Sequence, residues 1–237
     1  VIPGFNPPPR NPYVQINHLE IGQGKPVFFV GEIGINHNGN YETALKLIDV
    51  AVEAGCQAIK LQKRTVERVY TQEELDAPRQ SVFGNTNRAL KEGLEFDFEQ
   101  YVNLSLYCRR KKICWWASPW DLDSVDFLEQ VYPNAYKIPS ALLTDGELLE
   151  HIQKQGRPMI LSTGMSTLKE IDHAVDILGK KNLIILHTVS TYPSANEELN
   201  LNVMETLRRR YQVPVGYSGH EKGIYPSIFA AAMGAVS

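Results

Sequence analysis

Short apolar runs alternate with amphipathic stretches along most of the chain. Residues 27–33, Val27-Phe28-Phe29-Val30-Gly31-Glu32-Ile33, are almost continuously apolar, the pattern of a strand covered on both faces. Residues 41–54 then place Ala44, Leu45, Ile48, Ala51 and Val52 on one helical stripe, and Gly55 stops it. A second strand follows at 58–62. The same pair recurs with strands at 113–117, 135–138, 158–162, 183–187 and 213–217. Their helices fall at 122–130, 146–155, 168–178, 202–211 and 225–233. The second strand differs: a polar insertion at 63–96 separates it from its helix at 98–111. That insertion reads either as a lid or side wall hinged at Gly84 and Gly93, or as a solvated loop with a short helix at 71–76.

Parallel strands need crossover connections, so seven such units imply a barrel or a doubly wound sheet. The count favours an α/β fold of the (β/α)8 TIM-barrel class. Residues 234–237 read as the entrance to strand 8, so the expected barrel is truncated there. Residues 1–26 read as an extended tail and edge segment, with five prolines in the first twelve residues. Residues 27–237 are then the catalytic barrel domain, incomplete at its C-terminus.

Composition narrows the partners. The 24 Lys and Arg against 27 Asp and Glu give a formal charge of −3, which gives no support for nucleic acid or a membrane surface. No run approaches the roughly 20 apolar residues of a membrane helix. Cys56, Cys108 and Cys114 make no disulfide framework and no C-x-x-C pair. With no secretory pattern at the start, a cytoplasmic location is expected. Serine-elbow, P-loop, zincin and dinucleotide-fingerprint motifs do not occur.

Chemistry concentrates at the C-terminal ends of the apolar runs, where barrel enzymes keep their active sites. Glu32 closes the first strand, Lys60 and Gln62 the second, Ser118 the third, Lys137 and Ser140 the fourth. Ser162 and Thr163 close the fifth. His187, Ser190 and Tyr192 lie at or beyond the sixth, and Ser218 and His220 beyond the seventh. One serine at a strand end is unremarkable. Two lysines inside apolar strands are not, because desolvating an unpaired ammonium is costly. An anionic ligand would satisfy both, and the hydroxyls suit a phosphate plus a carboxylate. Phosphoenolpyruvate carries both groups; spacing alone does not separate it from a sugar phosphate. Of the six histidines, His18, His151 and His173 read as surface residues. His37 either touches substrate or shapes its turn, and His187 reads as a packed core residue. His220 is the best ligand candidate, though one histidine does not make a metal site.

Taken together, Gly31-Glu32-Ile33-Gly34-Ile35-Asn36-His37-Asn38-Gly39, Ile59-Lys60-Leu61-Gln62-Lys63, Tyr136-Lys137-Ile138-Pro139-Ser140, Leu161-Ser162-Thr163-Gly164-Met165, Tyr192-Pro193 and Gly216-Tyr217-Ser218-Gly219-His220 resemble the sialic acid synthases and their nonulosonate relatives. The resemblance spans about 27–237. It implies a barrel that condenses phosphoenolpyruvate with an N-acylated hexose such as N-acetylmannosamine, releasing phosphate and a nine-carbon sialic-type acid. It implies a divalent cation, Mn2+ or Mg2+, and a homodimer. By this resemblance Lys60, Ser118, Lys137, Ser140, Ser162, Ser190 and Ser218 hold phosphoenolpyruvate, and Glu32, Gln62 and Tyr192 meet the sugar. His220 matches a metal-binding histidine. Glu32, Lys60, Lys137 and His220 form the catalytic set. A second metal histidine beyond strand 8 and a C-terminal antifreeze-like domain have no counterpart in these 237 residues. Leu142 stands where many relatives carry an acidic residue, and His187-Thr188-Val189-Ser190 replaces a commoner sequence, so fine substrate choice stays open. A related aldolase or synthase with another aldose acceptor, and a ligand-binding barrel fragment without turnover, also stay open.

Overall fold

The computed structural model describes residues 12–237, so all of the proline-rich tail except Pro12 lies outside the described residues. The first elements are an antiparallel hairpin, β1 (Tyr13–Ile16) and β2 (Leu19–Gly22). The alternating units follow as β3 (Val30–Gly34), α1 (Tyr41–Glu53) and β4 (Ala58–Lys63). The insertion is folded. It holds α2 (Val66–Val69), α3 (Gln72–Asp76), a hairpin of β5 (Pro78–Ser81) and β6 (Gly84–Thr86), and α4 (Asn87–Gly93). Then come α5 (Phe98–Lys111), β7 (Cys114–Pro119), α6 (Leu122–Glu129), β8 (Tyr136–Ile138), α7 (Gly146–Lys154) and β9 (Met159–Ser162). The chain continues through α8 (Leu168–Leu178), β10 (Leu183–Thr188), α9 (Val203–Tyr211), β11 (Val215–Ser218) and α10 (Tyr225–Ala232). None of these helices is long and apolar enough to cross a membrane.

Five of the helices that follow the barrel strands, α1, α5, α6, α7 and α8, start on a residue whose side chain satisfies one of the first amides. Asn40, Asp97, Asp121, Asp145 and Thr167 each accept a hydrogen bond from the backbone N–H three residues on. Capping boxes at Asp97–Gln100 and Thr167–Glu170 add the reciprocal bond.

The crossovers produce one all-parallel sheet of seven strands in the order β11-β10-β9-β8-β7-β4-β3. The two-residue period of these strands divides the apolar residues into two cores. Ile59, Leu61, Trp115, Ala117, Tyr136, Ile138, Leu161, Leu183 and Ile185 face the helices. Ala58, Cys114, Trp116, Ala135, Ile160, Ile184 and Leu186 face inward and make the second core. Strands wetted on neither face explain why their runs read as continuous rather than alternating.

Two features went beyond the periodic reading. Within the segment preceding the barrel, residues 13–22 form the β1–β2 hairpin, and its Val14, Ile16 and Ile21 are buried in the inward core beside Ala58 and Cys114. Those two residues begin their strands, so the hairpin plugs the N-terminal end of the barrel. The Asn17 side chain in its turn donates to Cys114 Sγ at 3.3 Å and accepts from Asn134 at 3.2 Å. The first barrel strand starts at Val30 rather than Val27, yet Phe28 is still bonded: its N–H donates to the Val236 carbonyl at 2.9 Å. Val236 in turn donates to Val215, and Tyr217 donates to Ser237 at 2.7 Å. Residues 236–237 thus occupy the eighth strand position between β11 and the approach to β3.

Candidate active site

Lys60 sits on β4 between two outward-facing apolar residues, so alternation turns it inward with Ala58 and Gln62. In the sheet register Glu32, Lys60 and Trp116 lie side by side. Lys60 Nζ is 3.0 Å from Glu32 Oε1; the ammonium is buried while the carboxylate reaches solvent. Lys137 is turned inward in the same way by Tyr136 and Ile138, both fully buried on the helix side. Among the described residues it has no ion pair or hydrogen bond. Burial, and then the positive charge of Lys60, push its pKa down to about 7; Glu32 opposes them. Both lysines, Glu32 and Ser218 line one cavity of about 250 Å³, with Trp116, Ile160 and Leu186 beneath them.

Hydroxyls complete the inward face. Ser118 and Ser162 are fully buried, and the Oγ of each has no hydrogen-bond partner among the described residues. A buried hydroxyl left unpaired is costly, so these two are poised for a ligand. Ser140 and Ser190 come from distant loops and meet at Gly164, whose N–H donates to Ser140 Oγ at 3.0 Å. A Cβ at Gly164 would lie 2.3 Å from Ser190 Oγ and 3.0 Å from Ser140 Oγ, so only glycine leaves room for both. Ser218 pairs in register with Thr188.

On the far side of the mouth, Gly34 turns the chain with φ 54°, and a Cβ there would sit 2.9 Å from Glu32 Oε1 and 3.7 Å from Gln62 Nε2. Glu32 and Gln62 therefore flank one bare stretch of backbone. Tyr192 is 84% exposed, its ring edge-on to His220 at 5.1 Å. His220 lies 2.8 Å through Nδ1 from the Val189 carbonyl. A carbonyl only accepts, so Nδ1 carries the proton and Nε2 presents its lone pair. This is the orientation an imidazole needs to bind a metal. Among the described residues no group of three or more His, Cys, Asp or Glu side chains is arranged to hold a metal, so His220 would supply one ligand of a larger shell.

Two of the other histidines, His37 and His187, have packing roles. His37 is buried, stacks on Phe96 at 4.2 Å and accepts the Gly39 N–H at 3.1 Å. Burial, helped by the charge of Arg64, lowers its pKa to about 4, so it is neutral and shapes the turn. His187 faces the helix layer, and its Nε2 is 2.6 Å from the Leu199 carbonyl. His18 and His173 are exposed, and His151 pairs with Asp126 at 2.7 Å.

Thr188 was not among the residues singled out from the sequence. It is buried on the inward face of β10, two positions after Leu186, and its hydroxyl also has no partner among the described residues. The parity of Ile184, Leu186 and Thr188 is the signal that marks it. The insertion, meanwhile, is wedged into the rim: Gly93 packs so tightly on Phe83 and Gly39 that a Cβ at Gly93 would lie 2.4 Å from the Phe83 ring. Neither reading of this segment from the sequence included its hairpin or α4.

A profile of the NeuB family matches residues 47–237 of the chain. The chain belongs to the NeuB family. Among NeuB relatives, it is 34% identical over 219 residues to the N,N'-diacetyllegionaminic acid synthase of Campylobacter jejuni, covering 89% of this chain and 66% of that protein. It is 35% identical over 221 residues to the N-acetylneuraminate-9-phosphate synthase of Homo sapiens, covering 91% and 61%. It thus spans about two-thirds or less of the length of these NeuB relatives. The crystal structure of N-acetylneuraminic acid synthetase from Leptospira borgpetersenii, in complex with citrate, superposes with a TM-score of 0.86 at 31% identity, covering 95% of this chain and 76% of that one. A truncated 3-deoxy-D-arabino-heptulosonate 7-phosphate synthase from Thermotoga maritima superposes at 0.71 with 15% identity, a likeness of fold alone. The two solved structures share the TIM-barrel-like architecture of this chain.

Proposed function

We propose that this NeuB barrel binds phosphoenolpyruvate and condenses it with an N-acylated amino sugar, N-acetylmannosamine or a relative, giving a nine-carbon sialic-type acid and phosphate. The observation that carries the proposal is the inward-facing pair Lys60 and Lys137 beside buried, unpartnered serine hydroxyls. An anion with two acidic groups would relieve the desolvated lysine and pair the orphaned hydroxyls at once. The synthases named above support the reaction class.

Lys60 and Lys137 hold the phosphate and carboxylate of the substrate. Ser118, Ser162 and Ser218 orient it from the strands, and Ser140 and Ser190 from the loops beside Gly164. This holds the enol carbon toward the Glu32 side of the mouth, where Glu32, Gln62 and Tyr192 seat the open-chain sugar. The enol carbon bonds to the aldehyde carbon, water adds at the second carbon of the three-carbon unit, and phosphate leaves by C–O cleavage. Glu32, ion-paired yet solvent-reaching, is placed to pass a proton. Aligning two reactants supplies much of the acceleration, and fixed positive charge at the developing oxyanion supplies more. Nε2 of His220 would hold Mn2+ or Mg2+ together with oxygen ligands. When bound, such a cation polarises the sugar aldehyde.

Calorimetric titration with phosphoenolpyruvate tests the clamp. Lys60→Ala and Lys137→Ala should each weaken binding by about 10- to 150-fold, the worth of a charge-assisted bond. Affinity unchanged in both variants would remove the assignment. Mass detection of the sugar acid, with phosphate release, tests the reaction.

A further inference from the structure

The two inward lysines differ in one respect that an anion clamp leaves unused. Lys60 gives its ammonium to Glu32 at 3.0 Å. The Lys137 amine has no ion pair or hydrogen bond among the described residues, and it feels the positive charge of Lys60 more strongly than the negative charge of Glu32. Its surroundings are dry. Lys137 pairs in register with Ile160 on β9. On its other side, the register that pairs Ala117 with Tyr136 sets Ser118 beside it, and the Ser118 hydroxyl has no partner among the described residues. Trp116, Ile160 and Leu186 floor the cavity of about 250 Å³ that both lysines line. An apolar floor and a neighbouring cation both favour the neutral amine. These are the conditions that make a lysine a nucleophile for carbonyl carbons. Lys137 also keeps partial exposure, so a small molecule in the cavity reaches it.

The cavity selects which carbonyl compound. A simple ketone would find no charged anchor there. A carboxylate would find the Lys60 ammonium, and the unpaired hydroxyls of Ser118 and Ser162 offer donors to the remaining oxygens. A ketone next to that carboxylate is then held on the side of Lys137. The ligand with both groups on adjacent carbons is a 2-oxo acid.

We propose that Lys137 forms a reversible imine with short 2-oxo acids whose carboxylate is held by Lys60. The lone pair of Nζ adds to the ketone carbon, and a proton passes from that nitrogen to the oxygen. The carbinolamine then takes one proton from solvent and loses water. The iminium that remains faces the ligand's own carboxylate. No electrons are gained or lost, and water reverses both steps. The imine needs only the cavity and its two lysines, so it stands apart from the synthase reading. Where that reading also holds, phosphoenolpyruvate and the oxo acid exclude each other.

Pyruvate with sodium cyanoborohydride at pH 7, followed by peptide mass mapping, tests it on the whole chain. The reductant fixes an imine as a secondary amine that leaves one carboxyethyl group on the lysine. About half of an amine titrating near 7 is neutral at that pH, against about one part in 3000 for one titrating at 10.5. Lys137 should therefore be labelled more than about tenfold faster than any exposed lysine. Acetone, a ketone with no carboxylate, should label it about 10- to 150-fold less well, the worth of the charge-assisted bond to Lys60. Lys137→Met should lose this label. A label missing from Lys137, or appearing there no faster than on surface lysines, overturns the imine. Equal labelling by acetone and pyruvate overturns the choice of a 2-oxo acid. Excess phosphoenolpyruvate should protect Lys137. Pyruvate labelling of Lys137 that phosphoenolpyruvate leaves unchanged upholds the imine and removes the phosphoenolpyruvate clamp, so the two readings fail separately.

Discussion

Lys137 shows how one residue ties stability to binding. Its pKa of about 7 in the free protein, against 10.5 in an unfolded chain, means the native state binds fewer protons than the unfolded state between these values. Stability from this group therefore rises with pH from 7 to 10.5, and its full penalty is present below pH 7. Lys137→Met should raise the melting temperature of the free protein at pH 6–7 while weakening phosphoenolpyruvate binding by about the same 10- to 150-fold as Lys137→Ala; a scan in the presence and absence of ligand checks both. An anion favours the charged lysine, so affinity should fall by about tenfold per pH unit above 7, with proton uptake seen by calorimetry in buffers of different ionisation enthalpy. Ser162→Ala makes a similar contrast. Removing a hydroxyl with no partner should leave the free protein no less stable but weaken the ligand, whereas Gly164→Ala should push Ser190 and Ser140 aside and weaken it further.

Among the elements, the insertion stands on Glu95. This carboxylate accepts from Lys63 Nζ, Arg64 Nε and the Arg64 N–H, and so ties α4 and its neighbours to the end of β4. Glu95→Ala would strand two buried cations and should destabilise the protein by about 3–5 kcal/mol, read from the shift in urea midpoint. Limited proteolysis should then cut within 66–93 first. The β1–β2 hairpin contributes through packing instead. Ile16 is fully buried in the inward core, and Ile16→Ala should cost about 2–5 kcal/mol. This hairpin was not apparent from the sequence because its two four-residue strands carry only Val14, Ile16 and Ile21 as buried apolar residues. What gives them a place is the barrel end they cover, which no local pattern announces. The helices after the barrel strands were legible because each carries its apolar stripe, and five of them a cap as well, within its own few residues.

For the whole molecule, closure through residues 236–237 makes a prediction for hydrogen exchange. The amides of Phe28, Tyr217 and Val236, bonded across the eighth position, should be protected to nearly the degree of the central strands. Exchange at the rate of a free sheet edge would mean that this position is open in solution. The sequence by itself determined the order of strands and helices, because burial on both faces and helical periodicity are written in neighbouring residues. It also determined that polar groups gather at one end of every strand, and a parallel barrel brings all those ends to one rim. Only the tertiary structure decided which way each group faces. Lys60, Lys137 and Thr188 turn inward and His187 outward, because each strand's parity is set by its neighbours in the sheet. Only the tertiary structure, likewise, brought Ser140 and Ser190 together at Gly164. That meeting joins loops far apart in the chain, and its distances depend on the adjacency of β8, β9 and β10 in the sheet rather than on any local preference of the residues involved.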